Sequence, residues 1–253
     1  MDKISKYLQR IGFTGMPRPD YECLHALQRL HLQAVPYENL DIMRSIPISL
    51  EIEDIYSKIV INGRGGYCFE LNAIFAWLLK AIGFNVTDLM ARFLRDEATI
   101  PMRRHRVLKV SCQDGIYLCD VGVGGVVPRT PLPLVTGKVS RQQQEKYILE
   151  HEDFLGNVLY EWRRDTWRRI YSFTSEPQLE SDFIATSYYC ETHPESFFRT
   201  QDMVHIFTES GRKSIAGREV RLFSHDEVKV ITPATEASYY ELLDLHFGIR
   251  LQK

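Results

Sequence analysis

The sequence predicts an α+β protein in three parts: helices first, a β-rich middle, then a small mixed end. Two changes of pattern carry this reading. Up to Gly83, apolar residues recur at intervals of three and four, the helical period. Beyond Gly83 they gather in short runs rich in β-branched and aromatic residues, and from Glu191 onward short strands mix with one last helix. In order, Asp20 caps a helix carrying Leu24, Leu27, Leu30 and Ala34, ended by Pro36. Glu51 to Ile61 reads as a second helix on Ile52, Ile55 and Ile59. Asn62-Gly63-Arg64-Gly65-Gly66 reads as a flexible joint. The next helix has Leu71, Ile74, Leu78 and Ile82 on one face and Gly83 as its stop.

Strands follow at Val86 to Phe93, Val107 to Cys112, Ile116 to Val121, Tyr147 to Leu149 and Trp167 to Phe173. Asp114-Gly115 is a hairpin signal between the second and third of these. Pro128, Pro131 and Pro133 mark an irregular crossing. Met203 to Thr208 and Glu219 to Phe223 are strands of the mixed end. Its helix is expected to have Thr232 as cap, Pro233 at its first position and Gly248 as its end.

With 253 residues, 44% hydrophobic and 25% charged, the chain can bury a large core. That excludes a disordered tail, a fibrous repeat and a disulfide-stapled mini-protein. Lysine and arginine total 31 against 33 acidic residues, a net charge of −2. No strong field favours nucleic acid or an anionic membrane, so a small-molecule partner is expected. The five cysteines are odd in number and lack C-x-x-C spacing, against a disulfide framework or a zinc ribbon, and no metal is expected. No apolar segment follows the charged N-terminus, and the run Ala73 to Leu79 stops at Lys80. A soluble, cytoplasmic protein with reduced thiols is the expectation.

The stretch Arg64-Gly65-Gly66-Tyr67-Cys68-Phe69-Glu70-Leu71-Asn72 places a cysteine after a glycine-rich turn at the opening of a helix. Free N–H groups and the helix dipole there favour an anion, which lowers a thiol pKa and populates the nucleophilic thiolate. The same place suits a small packing cysteine, and position alone leaves both roles open. A thiolate nucleophile needs an imidazole held by a third group. His105 and His205 are the candidate histidines, and Asp120, on an apolar strand between Cys119 and Val121, is the candidate third member. With Asp114-Gly115 as a two-residue turn, His105 faces Gly124. Asp120 then stands four residues away, roughly 13 Å along an ideal strand. A bulge or another register is needed to close that gap.

Other signals carry less. Gly122-Val123-Gly124-Gly125 is followed by Pro128 and not by a helix, so the dinucleotide reading fails. Trp162 to Arg169 reads as a strand with a solvated basic face. Arg103, Arg104 and Arg106 flank His105 and suit either an anionic cofactor or the surface. Cys112 and Cys119 read as core packing. Zinc-peptidase, serine-hydrolase and P-loop motifs are absent.

Several motifs together resemble the arylamine N-acetyltransferase family, in its bacterial form. They are Val35-Pro36-Tyr37-Glu38-Asn39-Leu40, Arg64-Gly65-Gly66-Tyr67-Cys68, His105-Arg106-Val107-Leu108 and Asp120-Val121-Gly122-Val123-Gly124. Trp167-Arg168-Arg169-Ile170-Tyr171-Ser172-Phe173 and His193-Pro194-Glu195-Ser196-Phe197-Phe198 follow in the same order. The resemblance implies a helical domain over 1–83 carrying the nucleophile and a central β-barrel over 84–188 carrying histidine and aspartate. An α/β lid over 189–253 completes it, around a cysteine-protease-like core. It implies Cys68 as the acetyl-accepting nucleophile, His105 as its base and Asp120 as the residue orienting His105. Arg64 would tie down the loop holding Glu38. Arg104 and Gly124 match positions beside coenzyme A, and Tyr37, Phe93 and Val123 match the acceptor pocket. Val123 departs from the phenylalanine of many relatives and leaves that pocket wider.

The implied activity is acetyl transfer from acetyl-coenzyme A to an aromatic amine, hydrazine or N-arylhydroxylamine, by a ping-pong route through an acetyl-cysteine. The alternatives in the same scaffold are an amide synthase with a larger carrier-bound acyl donor, a cysteine hydrolase, and a non-catalytic ligand-binding protein.

Overall fold

Helix caps and turn chemistry explain most element boundaries in the computed structural model, which describes residues 2–95, 97–125, 127–224 and 227–251. The chain opens with helices α1, Lys3–Arg10, and α2, Tyr21–Ala34. Each is capped by an aspartate: Asp2 accepts from Ser5 N at 2.8 Å and Asp20 from Cys23 N at 2.9 Å. Pro36 forces Val35 into an extended conformation and ends α2. A two-residue strand β1, Tyr37–Glu38, and the short helices α3, Leu40–Met43, and α4, Ile52–Tyr56, follow.

The expected helix from Glu51 to Ile61 does not stay α-helical. Ser57–Ile61 is a π-turn, in which Asn62 N donates to Ser57 O, five residues back, at 2.9 Å. The segment 62–66 is not a free joint either. Arg64 N donates to Lys58 O at 3.1 Å, Gly66 N to Pro36 O at 3.3 Å, and Glu38 N to Gly66 O at 2.8 Å. Helix α5, Cys68–Ile82, ends at Gly83, whose φ of +108° lets its N–H close on Leu79 O at 3.2 Å. This helix is buried on nearly all sides rather than on one face, since strands as well as helices pack around it.

The remaining elements are strands β2, Asn85–Phe93; β3, His105–Cys112; β4, Gly115–Cys119; β5, Leu132–Pro133; β6, Ser140–Gln142; β7, Glu145–Glu152; β8, Gly156–Arg163; and β9, Thr166–Phe173. Then come helix α6, Ile184–Thr192, strands β10, Met203–Thr208; β11, Gly211–Ala216; β12, Glu219–Ser224; β13, Glu227–Ile231; and helix α7, Glu236–Phe247. Strands β2 to β9 form one antiparallel sheet in the order β5-β4-β3-β2-β9-β8-β7-β6. The segment after β5 joins its two sides: Leu134 N donates to Ile116 O at 2.9 Å and Gly137 N to Leu149 O at 2.9 Å. The sheet is thereby a nearly closed, barrel-like structure.

The second sheet has the order β1-β10-β11-β12-β13, so the strand just after α2 pairs with the C-terminal part. One apolar core runs through α1, α2, α5 and the barrel-like sheet, and a smaller one gathers Leu40, β10 to β12 and α7.

Two further expectations need correction. Helix α7 starts at Glu236, not at Pro233. Thr235 is its cap, accepting from Ser238 N at 3.1 Å while Ser238 Oγ accepts from Thr235 N at 3.0 Å. Strand β8 escaped the sequence reading because its turn to β9 uses Arg164 and Asp165 at φ +51° and +57°, positions where Asn-Gly is the usual signal. Among the described residues, no helix is long and apolar enough to cross a membrane.

Candidate active site

Cys68 is the first residue of α5, so its position is set by what fixes the start of that helix. Glu70 accepts from Tyr67 N at 3.1 Å and closes the helix entry. Lys58 holds Glu70 and Asp41, each at 2.7 Å, and Arg64 holds Glu38 and Asp41, each at 2.8 Å. Burial raises the Glu70 pKa and Lys58 opposes it. Glu38 also accepts from Leu40 N at 2.9 Å. This network locks the loop around Pro36 to the loop before Cys68. Arg64 does tie down Glu38.

The β3–β4 hairpin sets the other half. Its observed register pairs Cys112 with Gly115 and Leu108 with Cys119, so the turn residues are Gln113 and Asp114. Extended, that register puts His105 opposite Gly122 rather than Gly124, which brings Asp120 closer than the sequence reading allowed. The chain leaves the ladder after Cys119, and Asp120 Oδ2 lies 2.7 Å from His105 Nε2. Asp120 Oδ1 accepts from Gly122 N and from Asn72 Nδ2, each at 2.9 Å.

Asn72 was passed over in the sequence, although it stands four residues after Cys68 and so on the same helix face. Its Nδ2 also donates to Arg106 O at 2.6 Å, and its Oδ1 accepts from Val121 N at 3.0 Å. One carboxamide thus fastens α5 to both β3 and the segment after β4. Gly122 makes this approach feasible: a Cβ there would stand 2.6 Å from Asn72 Nδ2 and 2.7 Å from Cys68 Cα.

Cys68 and His105 line one cavity of about 610 Å³. Tyr37, Phe93, Arg104, Val123 and Gly124 line it too, so every predicted cofactor and acceptor residue reaches the same space, with Asp120 behind His105. A Cβ on Gly124 would meet Tyr37 Cε1 at 2.5 Å. The Phe93 ring packs edge-on to His105 with centroids 4.9 Å apart. Phe197, Phe198 and Met203 close the cavity from the C-terminal part, and Arg95 and Glu97 from the barrel side. Sequence reading assigned these no role. Phe197 and Phe198 belong to the stretch His193 to Phe198, but nothing local in the sequence points them at Cys68.

The arginines around His105 separate. Arg104 reaches the cavity and pairs with Glu97 at 2.7 Å, while its carbonyl faces Cys68 Sγ at 3.8 Å. Arg106 is neither at the surface nor free for an anion. It is fully buried, bonded to Asp88 at 2.7 Å and to Glu180 at 2.8 Å, over the Phe183 ring at 4.5 Å. His205 does not join the site. It lies on β10 opposite Tyr37, edge-on to Phe207 at 4.7 Å, and its Nε2 has no hydrogen-bond partner among the described residues. Burial, with Arg212 and Arg129, pushes its pKa down to about 3.

The thiol also corrects an expectation. The helix N-terminus was expected to lower its pKa. Burial instead pushes the Cys68 thiol up, with Cys190 and Asp120 adding to this, against backbone N–H groups of Arg106 and Phe69 that pull it down. In so enclosed a place the desolvation of a lone thiolate outweighs the dipole.

A sequence profile of the N-acetyltransferase family matches residues 20–253. The arylamine N-acetyltransferase of Mycolicibacterium smegmatis is 36% identical over 252 residues, 97% of this chain and 91% of that one. The chain belongs to the arylamine N-acetyltransferase family. Solved structures of arylamine N-acetyltransferases share its fold. That from Salmonella typhimurium superposes with a TM-score of 0.95 at 28% identity, over 100% of this chain and 93% of that one. That from Mycobacterium marinum in complex with CoA has a TM-score of 0.89 at 33% identity, over 97% and 92%.

Proposed function

We propose that the protein is an acetyl-coenzyme-A-dependent arylamine N-acetyltransferase working through an acetyl-Cys68 intermediate. The observation that carries this is the His105–Asp120 bond of 2.7 Å standing behind a cavity that Cys68 and His105 line together. Residues 1–83 act as the helical domain with the nucleophile, 84–188 as the barrel domain with histidine and aspartate, and 189–253 as an α/β lid. Such thiol chemistry suits the reducing cytoplasm.

With Nε2 engaged by Asp120, Nδ1 of His105 is the ring nitrogen that serves Cys68. The thiol proton passes to Nδ1, and the thiolate forms only as a partner of the imidazolium. This pairing overcomes the burial that opposes a lone thiolate. The thiolate attacks the carbonyl carbon of the acetyl thioester. The tetrahedral intermediate expels the coenzyme A sulfur, which takes the proton from His105. Thiol-for-thiol exchange is nearly balanced in energy, and no metal enters these steps.

An aromatic amine, uncharged at neutral pH, then attacks the acetyl-Cys68 carbonyl. His105 takes its proton, and the Cys68 thiolate leaves as the amide forms. Arg104 and Gly124 are assigned to coenzyme A, in keeping with the CoA complex of the Mycobacterium marinum relative. Tyr37, Phe93 and Val123 are assigned to the acceptor. Hydrazines and N-arylhydroxylamines are further acceptors, the latter in keeping with the Salmonella typhimurium relative's name as an N-hydroxyarylamine O-acetyltransferase.

The test is to incubate the protein with acetyl-coenzyme A and no acceptor, then map peptides by mass. One acetyl group on Cys68, discharged by an aromatic amine, is the expected result. An adduct elsewhere, or none, overturns the assignment. Rapid loss of the adduct without amine points to a hydrolase, and preference for long acyl donors to an amide synthase.

A further inference from the structure

We propose that a second cavity, between α2 and the segment running from Arg129 into β6, binds a phosphorylated small molecule separately from the acetyl donor. Its volume is about 550 Å³, within the range of about 300–1,000 Å³ usual for small-molecule sites. Four cations line it, Arg29, Arg129, Lys138 and Arg141, together with His25, and among the described residues no carboxylate does. The chain as a whole carries a net charge of −2, so this clustering does not follow from composition.

The cavity around Cys68 behaves differently: there Arg104 pairs with Glu97 at 2.7 Å and Arg95 with Glu161 at 3.2 Å. In the second cavity, Arg29, Lys138 and Arg141 have no carboxylate partner among the described residues, and Arg29 donates only to the Gln33 carboxamide at 3.2 Å. Acids near its edge include Glu145, which pairs with Arg129 at 3.3 Å, Glu22, beside His25 on α2, and Asp114, which accepts from Tyr21 N at 3.0 Å.

The frame is rigid. Gln142 and Thr130 exchange two bonds, Gln142 Nε2 to Thr130 O at 3.0 Å and Thr130 N to Gln142 Oε1 at 3.1 Å. Arg129 is fastened to Thr208 O at 3.3 Å and lies over the Phe207 ring at 4.6 Å, yet its buried Nε has no hydrogen-bond partner among the described residues. Arg29, Lys138 and Arg141, without a carboxylate partner among the described residues, repel one another around this concave space until an anion enters. Two guanidinium groups and an ammonium without a carboxylate partner among the described residues, with Arg129 beside them, match a phosphate bearing two or more negative charges better than a single carboxylate. The concave shape and its volume suit a small molecule better than a flat protein surface.

Isothermal titration of the full chain with inorganic pyrophosphate and, separately, with adenosine monophosphate tests this. The expected result is saturable one-to-one binding that weakens with salt and is at least about tenfold weaker in the Lys138→Gln/Arg141→Gln double variant. Acetyl transfer by that variant is expected to be unchanged. Equal binding of both probes assigns recognition to the phosphate groups alone. Binding of the nucleotide only assigns the nucleoside a share. Both outcomes support the site. No saturable binding of either probe at millimolar concentration, binding unaffected by the double variant, or stoichiometric displacement by coenzyme A would each overturn it.

Discussion

Two histidines lie at nearly the same depth, and among the described residues only one has a carboxylate against its ring. His105 is 1% exposed and His205 is 5% exposed. Both sit on strands, and both stood out in the sequence. At the β3–β4 end, His105 has a carboxylate 2.7 Å from one ring nitrogen and faces a cavity. At the β1–β10 edge, His205 faces Phe207 and two arginines, with a ring nitrogen that bonds to nothing described. Burial is common to both, so burial does not make a histidine functional. What separates them is the carboxylate bonded to the His105 ring and the cavity that ring lines, and the proposed role of His105 rests on that difference.

The largest test of this contrast exchanges the two. His105→Gln is expected to lower kcat/KM for acetyl transfer by about 10³-fold or more, and His205→Gln by only a few-fold. Comparable losses in the two would break the distinction. Asp120→Asn isolates the carboxylate. It keeps the shape but favours the wrong ring tautomer, so a loss of about 10²–10³-fold with an unchanged circular dichroism spectrum is expected.

Asn72→Ala is expected to act through Asp120. It removes one donor from that carboxylate and leaves Arg106 O and Val121 N without their partner, at a cost of about 1–3 kcal/mol in urea unfolding. Activity is expected to fall about tenfold, with an altered pH profile; a loss of stability with an unaltered profile would reduce Asn72 to a structural role.

The smallest effect belongs to His205 and concerns stability. Its folded pKa is pushed from 6.5 down to about 3. Above pH 6.5 the ring is neutral folded or unfolded and contributes nothing. As pH falls below that, the unfolded chain takes up a proton that the folded chain refuses until about pH 3, so stability drops, by about 1 kcal/mol per pH unit. His31 is depressed in the same way by burial, also to about 3. The His205→Phe variant should therefore lose less stability than the wild type between pH 7 and pH 5 in urea denaturation. Equal losses would show that His205 is not held neutral.

Much of the scaffold was legible. Asp20, Pro36 and Gly83 bound α2 and α5 as expected, because caps and breakers act within three or four residues. The cores of β2, β3, β9, β10 and β12 followed from their apolar and β-branched runs. So did most of β4 and the centre of β7, whereas β1, β5, β6, β8, β11 and β13 did not. Nor did the start of α7, where Thr232-Pro233 is a good local signal but Thr235 and Ser238 bond each other instead. The candidate site was half legible. Cys68 announced itself through the glycines before it, whereas the approach of Asp120 to His105 depended on a turn placed one residue earlier than Asp114-Gly115 suggests. The resemblance supplied that pairing, and spacing did not.

What the sequence determined by itself is local: which segments coil, where they stop, and that a cysteine opens a helix. What only the tertiary structure decided is electrostatic. Whether a thiol ionises, a histidine stays neutral or an arginine is spent on Asp88 rather than offered to a ligand depends on desolvation and on charges dozens of residues away in sequence. Those quantities sum over everything packed around a group, and no window of the chain contains that sum.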